Sequence, residues 1–547
     1  MFFRIKRTGP YQYLQVVRSY REGGKVHQQV VATLGRFDIL QNSGELDALL
    51  RSGLRFSEKL VVLDAHAAGE TEAVAVRHIG PDLVFGRLWQ QSGIPEAIRD
   101  LLAGRKFEFD LERAIYLTVL HRLFVSGSDR SAERWREQYR IAGTESLELH
   151  HLYRAMAFLG EALEEPWTLG SPRCVKDAIE ESLFESRRDL FSEVDLVFFD
   201  TTSIYFEGQG GETLGQFGHS KDHRPDLRQM IVGFALDAEG CPLCCEMWPG
   251  NTTDVTTLLP VVERLKKRFR VREVCIVADR GMICEATVQA LEAAEPPVRY
   301  ILGARMRRQK EVSEEVLRSH GVWTEITPER KRAKDPSPLK VREVKVHGHR
   351  YLLCLNEEER RKDAADRVAI VASLREHLKQ GAKSLVGNKG YRRYLAMEGQ
   401  GHFAIDEKRV EDDARFDGLW VLRTNTDYEA EIVASTYKTL WTVEALIRTT
   451  KTIMETRPIW HKCDETIRGH VFCSFLALRL KVELERRLAT TSERWEWNEI
   501  LRGLDNLHEV EAVFRGHRFI MRSQLVAEAH KALRAAGVAV PPTIRKA

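Results

Sequence analysis

Net charge is almost missing from this chain. Its 83 lysines and arginines against 80 aspartates and glutamates leave +3 over 547 residues. A protein that coats nucleic acid through bulk charge is far more basic, so a histone-like role is excluded and any polyanion site must be a local patch. Long apolar runs are missing too. The run near the C-terminus, Val471 to Leu478, stops at Arg479, far short of the ~20 residues a membrane helix needs. The start, MFFRIKRTGPYQY, lacks the apolar core of a secretory signal, and the expectation is a soluble, cytoplasmic protein. Cysteines are few and odd in number, nine in all, which points to reduced thiols rather than a disulfide framework. Cys241-x2-Cys244-Cys245 has no second pair to complete a zinc site, and His461-x-Cys463 has the wrong spacing for a finger, so buried thiols are expected there. The glycines from Gly208 to Gly218 lead to no Gly-Lys-Ser/Thr, so a nucleotide phosphate loop is unsupported. A serine nucleophile elbow is absent as well.

What is present is a globular composition, 43% apolar and 30% charged, in a chain long enough for three or four domains. Residues 1–60 read as β, with Phe2–Arg7, Tyr11–Tyr20 and Lys25–Gly35 alternating around a Glu22-Gly23-Gly24 turn. The period turns helical from about 82 to 190, where Ser128 caps a helix carrying Arg130 and Arg134. Then comes the order β-β-β-α-β-α-β: Val194–Phe199, Met230–Asp237, Cys241–Met247, a helix capped by Asp254, Val274–Ala278, a helix from Cys284, and Val298–Gly303. From 305 to 425 basic loops alternate with strands and a charged helix. Helices resume at Glu429–Met454 and Thr466–Leu488, and the tail reads as helical.

Asp200 and Asp279 follow the first and fourth of these strands. Carboxylates at the ends of adjacent parallel strands face one sheet edge, where α/β sheets place ligands. Two such charges repel unless a cation lies between them, and hard oxygen donors select Mg²⁺ or Mn²⁺. Each Asp alone would equally well cap a turn. A third acid is expected from a helix beside that edge. Tyr437, Trp441, Glu444, Arg448 and Lys451 are spaced to form one stripe of a continuous helix. At 1.5 Å rise per residue, Tyr437 and Lys451 each lie about 10 Å along the axis from Glu444, so they are expected to reach outward to phosphates of a polymeric substrate. The bland alternative is a solvated face with a Glu444–Arg448 pair.

Taken in order, Asp200, Asp279 and Glu444, with Tyr437-x2-Leu440-x3-Glu444-x6-Lys451, resemble the DDE transposases of bacterial insertion sequences, whose signature is Tyr-x2-Arg-x3-Glu-x6-Lys. Leu440 stands where many members carry Arg, and Arg448 is the candidate substitute. The loop HSKDHRPD, His219–Asp226, is similar to one subgroup of that family.

The resemblance implies an α/β multidomain protein with an RNase H-like mixed-sheet catalytic core interrupted by a β-rich insertion, an N-terminal β segment and helical flanks. The corresponding divisions are 1–60 (β segment), 61–190 (helical, candidate DNA-binding), 191–304 (core, first part), 305–425 (insertion), 426–490 (core, second part) and 491–547 (helical, candidate dimerisation). It also implies a transposase that binds element ends and catalyses metal-dependent strand cleavage and strand transfer. Two Mg²⁺ or Mn²⁺ ions would be held by Asp200, Asp279 and Glu444, which are both the catalytic and the metal-binding residues. The implied partners are double-stranded DNA, as terminal inverted repeats and target, and a second copy of the chain when assembled on DNA, in a nucleoid-associated cytoplasmic protein. DNA contacts are expected from Tyr437, Arg448, Lys451, Lys221, His223, Arg224, Lys389, Arg392 and Arg393. Trp323 is a candidate for stacking on a flipped base. The alternatives are a metal-dependent endonuclease that cuts without joining, and a non-catalytic DNA-binding protein.

Overall fold

The computed structural model describes the whole chain except residues 23–24, 55–70, 165–170, 188–193, 272, 308, 328–336, 381–392, 399–401, 453–455, 492 and 515–516. It divides into two compact units. One joins Met1–Val84 and Gln138–Arg140 to Glu493–Ala547; the other holds Phe85–Glu137 and Ile141–Ser492.

The first unit contains two antiparallel sheets. Phe2–Thr8, Tyr11–Glu22 and Lys25–Arg36 form the expected three-stranded meander. Thr71–His78 pairs with His508–Phe514, which pairs in turn with His517–Arg522 and then Ile544–Lys546. This corrects the helical expectation for both 61–190 and 491–547, since the first contributes one strand and the second three to a single sheet. The cause is visible in HEVEAVF and HRFIMR, which alternate with a period of two and place Ala512 and Phe519 in the buried layer. The helices Trp497–Asp505 and Ala527–Ala536 do lie in the tail.

The second unit is built on a nine-stranded mixed sheet: β1 Val194–Tyr205, β2 Gln229–Leu236, β3 Pro242–Pro249, β4 Glu273–Ala278, β5 Arg299–Gly303, β6 Thr324–Ile326, β7 Leu339–Val346, β8 His349–Leu355 and β9 Leu419–Thr424. The spatial order is β6-β7-β8-β9-β5-β4-β1-β2-β3. β1, β4 and β5 are parallel, while β2 and β3 run antiparallel beside β1. That half is the RNase H-like arrangement. One face is packed by the helices Leu258–Lys267 and Glu285–Ala293, through Leu258, Val261, Val262, Leu265, Val288 and Leu291 against Val197, Phe199 and Ile276. The helix Asp464–Ala489 is buried along most of its length and packs on β3 and on the helices Leu111–Phe124 and Leu149–Gly160. Among the described residues no helix is long and apolar enough to cross a membrane.

The β-rich insertion does not stand apart. β9 pairs antiparallel with β5, Ile301 opposite Thr424 and Gly303 opposite Leu422, so β6–β9 extend the core sheet. An open β5 edge would otherwise present unpaired backbone groups. The charged helix runs from Glu357 to Gln380.

Candidate active site

Asp200 is not at the end of its strand. The parallel pairing of β1 with β4 stops at Phe199 opposite Ala278, whereas the antiparallel pairing with β2 continues to Tyr205 opposite Gln229. Asp200 and Asp279 are thus the next residues on neighbouring strands, about 4.8 Å apart by sheet spacing at the backbone. The helix Trp441–Thr452 packs on β1 and β2 and brings Glu444 to the same edge on its exposed face.

The electrostatics follow from this placement. Burial pushes the Asp200 carboxyl up to about 6, and the like charges of Asp279 and Glu444 add to the rise. The Lys221 ammonium and the Thr201 amide, which donates to Asp200 Oδ1 at 2.7 Å, oppose it. Among the described residues, Asp129, His461 and His470 bring candidate ligand atoms within 4.8 Å of one another.

The Asp129–His461–His470 cluster has a different explanation. Arg122 donates to His470 Nδ1 at 2.8 Å and to Ser474 Oγ at 2.5 Å, while His470 Nε2 lies 3.2 Å from the Thr456 carbonyl. The ring is thus neutral with its proton on Nε2, and burial together with Arg122 holds its pKa well below the usual range. A guanidinium already uses the lone pair a metal would need.

The expected single helix over 429–454 is two helices, Ala430–Lys438 and Trp441–Thr452. Between them Leu440 N bonds to Tyr437 O and Val443 N to Leu440 O, each at 3.0 Å, in tight i→i+3 turns that break the stripe. Tyr437 therefore turns inward. Its hydroxyl donates to Asp279 Oδ1 at 3.0 Å, and burial with the Asp279 charge holds that hydroxyl well above the usual tyrosine range. A Cβ at Gly303 would lie 2.5 Å from this oxygen, so the glycine makes room for it. Trp441 points out, 61% exposed, and Leu440 is buried. Lys451 pairs with Asp222 at 2.7 Å instead of reaching outward.

The other expected DNA contacts divide. Lys221 pairs with Asp254 at 3.0 Å and Arg224 with Asp226 at 2.9 Å. Arg393 pairs with Asp413 and lies near the Tyr394 ring. Lys389 and Arg392 fall outside the described residues. Arg448 and His223 are exposed and make no ion pair among the described residues. Trp323 lies under the Arg342 guanidinium, 4.7 Å from ring centroid to Cζ, so one face of its ring is covered.

Two features escaped the sequence reading. Asp254 does not cap a long helix; it begins a short 3₁₀ turn ahead of the helix Leu258–Lys267, and its carboxylate accepts from Thr201 Oγ1 at 2.7 Å. A cleft of about 370 Å³ beside Asp279 is lined by Arg280, Gly281, Arg305, Met306 and Arg307. Arg305 braces it by donating to the carbonyls of Arg280 and Gly281 at 2.9 and 3.0 Å. All nine cysteines are free, and Cys241, Cys244 and Cys245 are buried, as thiols rather than zinc ligands.

The IS1634 family transposase N-terminal domain model matches residues 3–67. The transposase DDE domain model matches residues 193–480, more than half of the chain and the span that carries all three carboxylates. None of the curated proteins matches. A solved piggyBac transposase synaptic complex with hairpin DNA is similar at 11% identity over 78% of each chain, with a TM-score of 0.35, too low to bear on the fold. On the family match, across sheet, helix and carboxylates, this chain belongs to the DDE transposases of insertion sequences, metal-dependent enzymes that cleave and join DNA.

Proposed function

We propose that Asp200, Asp279 and Glu444 are the catalytic carboxylates, and that they hold two Mg²⁺ or Mn²⁺ ions per active site. The observation that carries this reading is the placement of Asp200 and Asp279 as the next residues beyond the last β1–β4 pair, with the helix of Glu444 packed on β1 and β2, and the raised Asp200 carboxyl agrees with it. Such a cluster is short of positive charge, and its all-oxygen donor set fits hard divalent ions. Bound there, the ions supply Lewis acidity to the scissile phosphodiester and acidify the attacking water.

The chain's own groups do the positioning. Tyr437 orients Asp279 through its hydroxyl. In the cleft beside Asp279, Arg305 is held by the Arg280 and Gly281 carbonyls and Arg307 by Asp413, which leaves the exposed Arg280 to receive a backbone phosphate. Arg448 and His223, exposed and without an ion pair among the described residues, contact the strand. Arg130 and Arg134, exposed one turn apart on the helix Asp129–Arg136, track the flanking duplex. The substrates are the inverted-repeat ends of the element and then target DNA. A second copy of the chain joins when two ends are brought together, in a nucleoid-associated cytoplasmic complex.

Incubation of the protein with Mg²⁺, labelled element ends and a plasmid tests this. Cleaved ends joined to plasmid are expected; cleavage without joining would favour the endonuclease reading. Glu444→Gln should remove both products while end binding persists. Full activity in that variant would sink the site assignment.

A further inference from the structure

Two neighbours on the loop between β1 and β2 carry opposite charges, and each is used inside the protein. Lys221 turns toward β1. Its amide donates to Ser203 Oγ at 2.8 Å, and its ammonium donates to the Thr201 carbonyl at 2.8 Å and to Thr201 Oγ1 at 2.9 Å. The same ammonium pairs with Asp254 Oδ2 at 3.0 Å, while Thr201 Oγ1 donates to Asp254 Oδ1 at 2.7 Å. Thr201 follows Asp200 directly, so this end grips the strand one residue beyond the first carboxylate.

Asp222 turns the other way. Its Oδ1 meets Lys451 Nζ and Arg457 NH1, each at 2.7 Å. Lys451 sits on the helix of Glu444, two turns further on. The Asp222 side chain is 5% exposed and that of Lys451 10%, and the second Asp222 oxygen is buried with no hydrogen bond. His223, next in sequence, is in the left-handed region at φ 58°, which histidine tolerates better than bulky β-branched residues. The loop is seated closely as well, since a Cβ at Gly218 would lie 1.9 Å from the Gly250 carbonyl oxygen.

A buried ion pair contributes little net stability, because desolvation offsets the attraction; its best-attested use is to fix register. The Asp222–Lys451 pair is of this buried kind, and the part-exposed Lys221 is held instead by its hydrogen bonds to Thr201 and Ser203; one tie on each of two adjacent residues, to the strand of Asp200 and to the helix of Glu444, fixes how far apart those elements stand. We propose that Lys221 and Asp222 form a positioning brace that sets the separation of Asp200 and Glu444 at which the carboxylates take up divalent ions. Lys221 then acts on the strand of Asp200 rather than on a DNA phosphate. The inference rests on the carboxylate reading given above.

Titration of the full-length protein with Mn²⁺, followed by the resonance of the free ion without DNA, tests the brace. Residues that orient metal ligands typically cost about 10- to 100-fold in metal affinity when lost, and a weakening of at least about tenfold is expected for Asp222→Asn and Lys221→Met. Lys221→Arg should recover part of the loss. Affinity for labelled element ends, measured by fluorescence anisotropy without metal, should stay near the parent value in all three. Unchanged Mn²⁺ affinity in a folded Lys221→Met protein overturns the brace. So does a loss of end affinity with Mn²⁺ affinity intact, which would make Lys221 a phosphate contact. If Asp222→Asn does not melt cooperatively, Lys221→Met decides alone. Glu444→Gln separates the two ideas: cleavage retained in that variant overturns the carboxylate reading. Cleavage lost there, beside normal Mn²⁺ binding in Lys221→Met, overturns only the brace.

Discussion

Tyr437 donates its hydroxyl hydrogen to Asp279 Oδ1 across 3.0 Å, so the first residue of the family signature acts on the second of the three proposed carboxylates. Hydrogen bonds to charged groups contribute about 1.5–3 kcal/mol. Tyr437→Phe should therefore lower end cleavage by about 10- to 100-fold with end affinity unchanged. Gly303→Ala, which crowds the same oxygen, should act in the same direction. A Tyr437→Phe protein that cleaves normally but binds DNA with a shallower salt dependence would return Tyr437 to a phosphate contact.

The raised Asp200 carboxyl gives a pH dependence with a definite sign. Its folded pKa, about 6, lies above the ordinary 3.8, so the native state without metal favours the protonated form. The stability this gives is complete below about pH 4 and is lost as pH rises through 6. In EDTA, Asp200→Asn should therefore melt higher than the parent at pH 7, and the gap should be clearly smaller at pH 4.5. Thermal unfolding at the two pH values checks this; an equal gap at both would contradict it. Metal uptake near pH 6 should release a proton, measurable by calorimetry in buffers of different ionisation enthalpy.

Lys176 is buried with its ammonium 2.6 Å from Asp177 Oδ1, 2.7 Å from the Cys245 carbonyl and 3.6 Å from Glu180. Removing one partner of a buried charge network leaves the others uncompensated, at a cost of about 3–5 kcal/mol. Lys176→Met should show a loss of that order in urea denaturation. A change within about 0.5 kcal/mol, typical of a surface substitution, would contradict the network.

The Asp129–His461–His470 cluster should bind no zinc, because Arg122 occupies His470 Nδ1. Purified protein should lose no thermal stability in EDTA through this cluster, and His461→Ala should have the same metal content as the parent. Stoichiometric zinc that disappears in His461→Ala would contradict the assignment.

Much of the placement of the proposed site was legible in the chain. The apolar runs before Asp200 and Asp279 mark parallel core strands because such strands are covered on both faces, and Glu444 could be placed by register with Tyr437 and Lys451. Side-chain direction was not legible. A helical stripe assumes an unbroken helix, and the turn at Thr439–Leu440 rotates Tyr437 away from Trp441. Nor does the sequence tell a basic residue that meets DNA from one that meets a distant acid. Lys451 and Asp222 are 229 residues apart along the chain. Asp254 looked like a helix cap because Asp before an apolar run usually is one, whereas its partners, Thr201 and Lys221, come from β1 and the loop after it. The strands after His508 alternate plainly, but their partner, Thr71–His78, lies near the other end of the chain.

The central claim is that the carboxylates of Asp200, Asp279 and Glu444 hold the ions that cut DNA. Crystals grown with Mn²⁺, with diffraction recorded at the manganese absorption edge, test it most directly. The account predicts anomalous density against the carboxylates of Asp200, Asp279 and Glu444, and its loss beside residue 444 in Glu444→Gln. Manganese bound at Asp129, His461 and His470 with the three carboxylates bare would contradict it.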